Sequence, residues 1–346
     1  MKLESTEVAK IHHALQDDVS RFLFEKRLLY SLTGDEAYIR DIALSFEELQ
    51  PIRKLAEERT DNFVFGAGTY GDIAVHLAPG HFLGIFDNDA AKWGNVLGGA
   101  TIVSPEKIRR HPESRVFLAV RKMGKHYQDE ILQQLQSLGV AEDRIVRVDR
   151  AADAFFAHHT QYFDLPELPH VRDETFVDAG SFDGATSKDF VRWAGEYQHI
   201  YAFEADPKSQ PLCRSGLQAI SSVKTTLLPY GVWSERTELR LNSIGPRRGQ
   251  IDPSGDARIP VTSIDQELAG KRITFIKMDI EGAEMKALQG ASRAIAEQHP
   301  KLAICLYHHP EHILSVPLLI LSLYPGYRFY LRHYTFTNSE TVLYAF

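Results

Sequence analysis

Thr175-Phe176-Val177-Asp178-Ala179-Gly180-Ser181-Phe182-Asp183-Gly184 decides the fold. An apolar run enters a glycine-bearing turn, and a helical pattern through Phe190 and Trp193 follows. Glycine is required where a strand turns sharply into a helix and the backbone must approach a ligand. The acidic residues of the turn suit the cationic ammonium of a methionyl group and are wrong for a pyrophosphate.

The same alternation continues outward. A second strand, His199 to Phe203, ends in Glu204, a carboxylate placed to accept two ribose hydroxyls. A third, Thr226 to Tyr230, leads to Gly231-Val232-Trp233, where adenine would lie. A fourth, Ile273 to Met278, delivers Asp279 and Glu281, and a fifth, Leu302 to Tyr307, delivers His308 and His309. Ligands of open α/β sheets bind beyond the carboxyl ends of the strands, so these residues belong to one cleft. Histidine there can deprotonate an acceptor hydroxyl near neutral pH. Two last strands, Leu331–Thr335 and Thr341–Phe346, close the sheet as an antiparallel hairpin.

Composition frames this reading. Among 346 residues, 44% are hydrophobic and 25% charged, which suits two globular domains. A net charge of -7 gives no general attraction to nucleic acid. Two cysteines, Cys213 and Cys305, make neither a disulfide framework nor a zinc site. An acidic N-terminus and the lack of an apolar run of about 20 residues indicate a cytoplasmic protein without a membrane span.

Upstream, apolar spacing predicts a helical segment over 1–60, read as a cap or a homodimer surface. Residues 61–150 alternate strand and helix, forming a second α/β domain, and a proline-bearing stretch over 151–174 is the expected linker before the domain at 175–346. GAGTYG at 66–71 matches GxGxxG, with Asp87 about twenty residues on. Alone it is a weak signal.

The segments VDAGSFDGATS, AFEADP, IKMDIEGAE, YHHPEH and LRHYTF...ETVLYAF resemble, in order and spacing, the FkbM family of class I S-adenosylmethionine (SAM)-dependent methyltransferases. The resemblance implies a seven-stranded sheet with SAM as cofactor. It assigns Asp178, Gly180, Ser181 and Asp183 to the SAM loop and Glu204 to the ribose. Gly231 and Val232 would flank adenine, and Asp279, Glu281 and Glu284 belong to an acidic strand-end signature. It also implies transfer to an acceptor oxygen on a small molecule, sugar or glycan. By their place at the strand ends, His308, His309 and Asp279 are the catalytic candidates in a metal-free site; a divalent metal site on the two histidines with Asp279 is the less favoured alternative, imidazole being a poor ligand for magnesium. The stretch around Asp87 and Ile102-Val103-Ser104 resembles nucleotide-sugar-binding domains, which would put Gly66, Gly68 and Asp87 against a nucleotide-sugar. The competing readings are an NAD-dependent oxidoreductase using GAGTYG and a non-catalytic nucleotide-sugar sensor.

Overall fold

The computed structural model describes residues 5–121, 127–243, 249–251, 254–255 and 257–346. The chain divides into two units. One comprises the chain up to Gly34 with 160–334 and 338–346; the other comprises 35–159 with 335–337.

The second unit holds strands β1 (Asn62–Phe65), β2 (Phe82–Phe86), β3 (Val96–Leu97), β4 (Ala100–Val103), β5 (Val116–Leu118) and β6 (Ile145–Arg147). They run in the order β3-β4-β2-β1-β5-β6, parallel except for β3 against β4. All four residues of β1 are buried, as a central parallel strand requires. Alternation sends Phe63 and Phe65 to one face, with Ile131 and Leu135, and Val64 to the other, with Ile52, Ala56 and Ala74. Beyond β1 the GAGTYG turn opens the helix Thr69–Leu77. Gly66 has φ 111°, and a Cβ on Gly71 would lie 1.8 Å from the Gly66 carbonyl oxygen, so two glycines here serve close packing.

The first unit contains β7 (Glu174–Ala179), β8 (Tyr197–Phe203), β9 (Thr225–Leu228), β10 (Gly231–Val232), β11 (Thr237–Ser243), β12 (Gly249–Ile251), β13 (Ala257–Thr262), β14 (Phe275–Met278), β15 (Lys301–Cys305), β16 (Phe329–His333) and β17 (Thr341–Ala345). Its seven-stranded sheet has the order β16-β17-β15-β14-β7-β8-β9. Only β17 is antiparallel to its neighbours, so the expected closing hairpin is present. Strands β10 to β13 form a separate four-stranded sheet between β9 and β14 in sequence, which the strand pattern had not revealed. Because β17 runs backward, the turn that precedes it reaches the same edge as the carboxyl ends of β7, β8, β14 and β15.

Two expected boundaries differ from those observed. The 1–60 segment is divided: the helices Ser5–Ala14 and Asp18–Thr33 belong to the first unit, and Ala37–Leu44 and Gln50–Glu57 to the second. The division follows from polar anchors, since Ser20 Oγ accepts the Leu331 N–H at 2.8 Å and Asp17 pairs with Arg332 at 2.7 Å on β16. The 151–174 stretch is not a free linker either. Ala152 and Phe155 enter the core of the second unit. Tyr162, Phe163, Leu165 and Leu168 enter that of the first, where Phe163 packs 5.9 Å from Phe176. Each buried aromatic or leucine contributes about 1.5–3 kcal/mol, which outweighs the turn-forming signal of Pro166 and Pro169.

Gly71→Ala tests the helix–strand approach in the second unit. Helix propensity alone would make the change stabilising by about 1 kcal/mol. The clash with the Gly66 carbonyl predicts instead a destabilisation of about 1–3 kcal/mol, measured by urea unfolding.

Candidate active site

The loop after β7 is built around a carboxylate buried beneath it. Asp178 is fully buried; its Oδ1 lies 3.2 Å from Lys277 Nζ, and its Oδ2 accepts hydrogen bonds from Ser181 Oγ at 3.0 Å and Ser187 Oγ at 2.8 Å. Lys277 reaches this position from β14 and also donates to the carbonyls of Ala179 and Gly180, at 3.2 and 2.8 Å. Burial alone would lower the Lys277 pKa, but Asp178 and Asp279 outweigh it and raise it, so the ammonium stays charged. Asp178 therefore holds the loop from inside, its carboxylate engaged by Lys277, Ser181 and Ser187.

Gly180 has φ 80°, and a Cβ there would stand 2.0 Å from the Asp279 carbonyl oxygen, so no side chain fits between the two strand ends. Ser181 is buried, while Asp183 is half-buried and accepts the Ala185 N–H at 2.9 Å in the turn that leads into the following helix. Glu204 binds the tips of β7 and β8 together: its Oε2 accepts from the Phe182 N–H and its Oε1 from the Asp206 N–H, both at 2.8 Å. Burial raises the Glu204 pKa, opposed by these two backbone donors. Each oxygen retains a lone pair for a further hydroxyl. Gly231 sits beside this tip, since a Cβ on it would lie 3.4 Å from the Ala205 Cβ; Val232 is buried. Both belong to the small sheet, paired with Val261 and Thr262.

At β14 and β15 the structure brings together Asp279, Glu281, Glu284 and His308. Asp279 Oδ2 accepts the Tyr162 hydroxyl at 3.0 Å and Oδ1 the Tyr307 hydroxyl at 2.9 Å. Burial would raise the Asp279 carboxyl, but Lys277, His308 and the two tyrosines hold it below the ordinary aspartate value. His308 Nδ1 is 2.9 Å from Glu284 Oε1, and its Nε2 is 3.5 Å from Asp279 and 3.6 Å from Glu281. Burial would lower the His308 pKa, yet the contact with Glu284 and the charges of Asp279 and Glu281 raise it. An imidazole in this setting holds a proton more firmly, which weakens His308 as the expected base. His309 does not join Asp279: it packs over Gly282, where a Cβ would fall 2.3 Å from its Nε2, and its ring lies 4.9 Å from that of His312. Glu284 is fully buried and accepts the Ile280 N–H at 3.0 Å, a structural role for the turn.

The sequence reading missed Tyr162, Tyr307, Lys277 and Glu340. Glu340 lies at φ 57° just before β17, where it accepts Gln161 Nε2 at 2.7 Å; burial, then the charge of Asp279, raises its pKa. A lone lysine inside the apolar run of β14 was the one visible signal. Among the described residues no group of three or more His, Cys, Asp or Glu is arranged to hold a metal ion.

In the N-terminal unit Gly68 begins the helix Thr69–Leu77, with open space where a Cβ would stand. The Asp87 carboxylate accepts the Ala67 N–H, the Asp89 N–H and Lys92 Nζ, each at 2.9 Å, so both its oxygens are engaged within the loop.

Sheet order and strand-end loops define the class as an α/β protein with a methyltransferase-like Rossmann sheet. Within it, residues 178–336 match the Methyltransferase FkbM domain. The structure is similar to that of Methyltransferase FkbM from Methylobacillus flagellatus KT, at 20% identity and a TM-score of 0.50, covering 92% of this chain and 100% of that one. It is also similar to an rRNA methylase from Streptococcus thermophilus at 14% identity and a TM-score of 0.33, covering 57% and 92% of the two chains. Aeropyrum pernix fibrillarin, solved with natively bound S-adenosyl-L-methionine, aligns at 9% identity and a TM-score of 0.34, covering 53% and 71%. No curated protein matches the sequence. No described helix is long and apolar enough to cross a membrane.

Two measurements check this electrostatic account. Lys277→Met leaves Asp178 buried without its cation and should cost about 3–5 kcal/mol in chemical denaturation, with partial recovery in Lys277→Met/Asp178→Asn. His308 has a raised folded pKa, so its charge stabilises fully below its unfolded value of about 6.5 and that contribution is lost as pH rises through the folded value. The stability gap between wild type and His308→Gln should therefore be wider at pH 6 than at pH 9.

Proposed function

We propose that the protein is a SAM-dependent methyltransferase that acts on a hydroxyl of a small molecule, sugar or glycan precursor. The observation that carries this reading is the joining of the β7 loop to Glu204 at the tip of β8, within a domain that matches Methyltransferase FkbM. The donor set fits the group: Gly180 lets the ends of β7 and β14 meet, Glu204 suits two ribose hydroxyls, and Asp183, Asp279 and Glu281 surround the edge with negative charge suited to a methionyl ammonium. Ser181, Gly231 and Val232 shape the walls. When bound, SAM supplies an already activated methyl group, so this chain's work is alignment of the acceptor and removal of its proton. The engaged carboxylate of Asp87 argues against dinucleotide use at the N-terminal loop.

Calorimetric titration with SAM, NAD and a UDP-sugar tests the assignment. SAM should bind, and Glu204→Ala should weaken it tenfold or more, the loss expected of hydrogen bonds to a charged group. Binding of NAD with none of SAM would refute it.

A further inference from the structure

Tyr162 combines a large buried side chain with a backbone that such side chains rarely adopt. Its φ is 75°, in the left-handed region that glycine and asparagine occupy far more readily than an aromatic residue. The main chain is held there all the same, because its N–H donates to the Tyr344 hydroxyl at 2.9 Å. A strained position that keeps a tyrosine indicates a task for the side chain.

Packing does not define that task. The ring joins the core of Phe163, Leu165 and Leu168, which phenylalanine would fill as well. The hydroxyl is what differs. It accepts from Gln161 Nε2 at 3.1 Å, so its one proton is free to go to Asp279 Oδ2, 3.0 Å away. Tyr307 donates to Oδ1 of the same carboxylate at 2.9 Å. Two phenols on separate segments thus take one oxygen each, which fixes the rotation of the carboxylate more firmly than either could alone. The Tyr162 ring also lies 5.4 Å from Lys277 Nζ, the ammonium that supports the turn after β7.

The braced carboxylate is not closed off. The Asp279 side chain is 26% exposed although the Tyr162 phenol that holds it is buried. Among the described residues Oδ2 accepts a hydrogen bond from Tyr162 alone, so it keeps a second lone pair for a donor arriving from outside. A carboxylate already fixed in direction loses little freedom when such a donor binds.

We infer that Tyr162 is a positioning residue, whose hydroxyl sets the direction in which Asp279 meets the ammonium of the methionyl group, with Tyr307 as the second brace. The inference rests on the SAM reading and adds to it a residue that lies before the first strand of the sheet.

The test is calorimetric titration of the full chain with S-adenosylhomocysteine, which carries the ammonium, and with methylthioadenosine, which keeps the adenosine and the thioether but lacks it. Tyr162→Phe should weaken S-adenosylhomocysteine about tenfold and methylthioadenosine less than about twofold. Damage to the fold would weaken both alike, so parallel losses would overturn the inference, as would unchanged affinity for both. Asp279→Asn should show the same selective loss. Tyr162→Phe added to that variant should cost no further affinity for S-adenosylhomocysteine, because the hydroxyl acts through the carboxylate. A second, additive loss would overturn the inference while leaving the cofactor reading intact. Wild-type protein that binds neither ligand would instead remove the cofactor reading, and the inference with it.

Discussion

The buried pair of Lys277 and Asp178 is the constraint on which the active edge depends. Taking two charges out of water costs several kcal/mol per ion unless each is paired and its remaining donors or lone pairs are used. Here they are: Asp178 accepts from Lys277, Ser181 and Ser187, and Lys277 adds the carbonyls of Ala179 and Gly180. The pair thus ties β14 to the turn after β7 at the point where Gly180 and the Asp279 carbonyl nearly touch. Hydrophobic packing could hold the strands together, but it has no direction and would not fix the path of that turn.

From this anchor the rest of the edge follows. Glu204 extends the tie from β7 to β8 through the Phe182 N–H, and Glu284 ties the turn after β14 through the Ile280 N–H. Two carboxylates thus shape their turns by accepting backbone donors, and Asp178 shapes a third through the hydroxyls of Ser181 and Ser187. Asp279 and Glu281 are carried on a turn whose backbone is already determined. Their side chains need little further ordering, the condition under which positioned polar groups act most effectively.

Much of this was legible in the sequence because strand-end carboxylates and turn glycines occupy fixed places in an open α/β sheet. The order of β7, β8, β9, β14 and β15, the closing hairpin and the gathering of Asp279, Glu281 and His308 could be read from alternation alone. The division of residues 1–60 could not, because it rests on Ser20 and Asp17 meeting Leu331 and Arg332 more than 300 positions away. The pairing of Asp178 with Lys277 was illegible for a related reason: burial is invisible in a motif, and a carboxylate at a strand end looks the same whether or not it meets a lysine. Tyr162 was hidden in a stretch whose prolines suggested a linker, and Glu340 in a hairpin turn.

These hidden residues settle how protons are distributed at the edge. Tyr162 and Tyr307 are pushed to higher pKa, first by burial, so they remain donors, and both aim at Asp279. Asp279 is held ionised against desolvation by Lys277, His308 and these hydroxyls, while the partly buried Glu340 is driven upward by desolvation and by that same charge. Two neighbouring carboxylates whose pKa values are forced apart take different tasks. The ionised one is a fixed counter-charge, kept from protonation first by Lys277, then by His308 and the two tyrosines. Asp279 thus stays charged, while against the opposing effect of burial the contact with Glu284 and the charges of Asp279 and Glu281 hold the proton of the His308 imidazole.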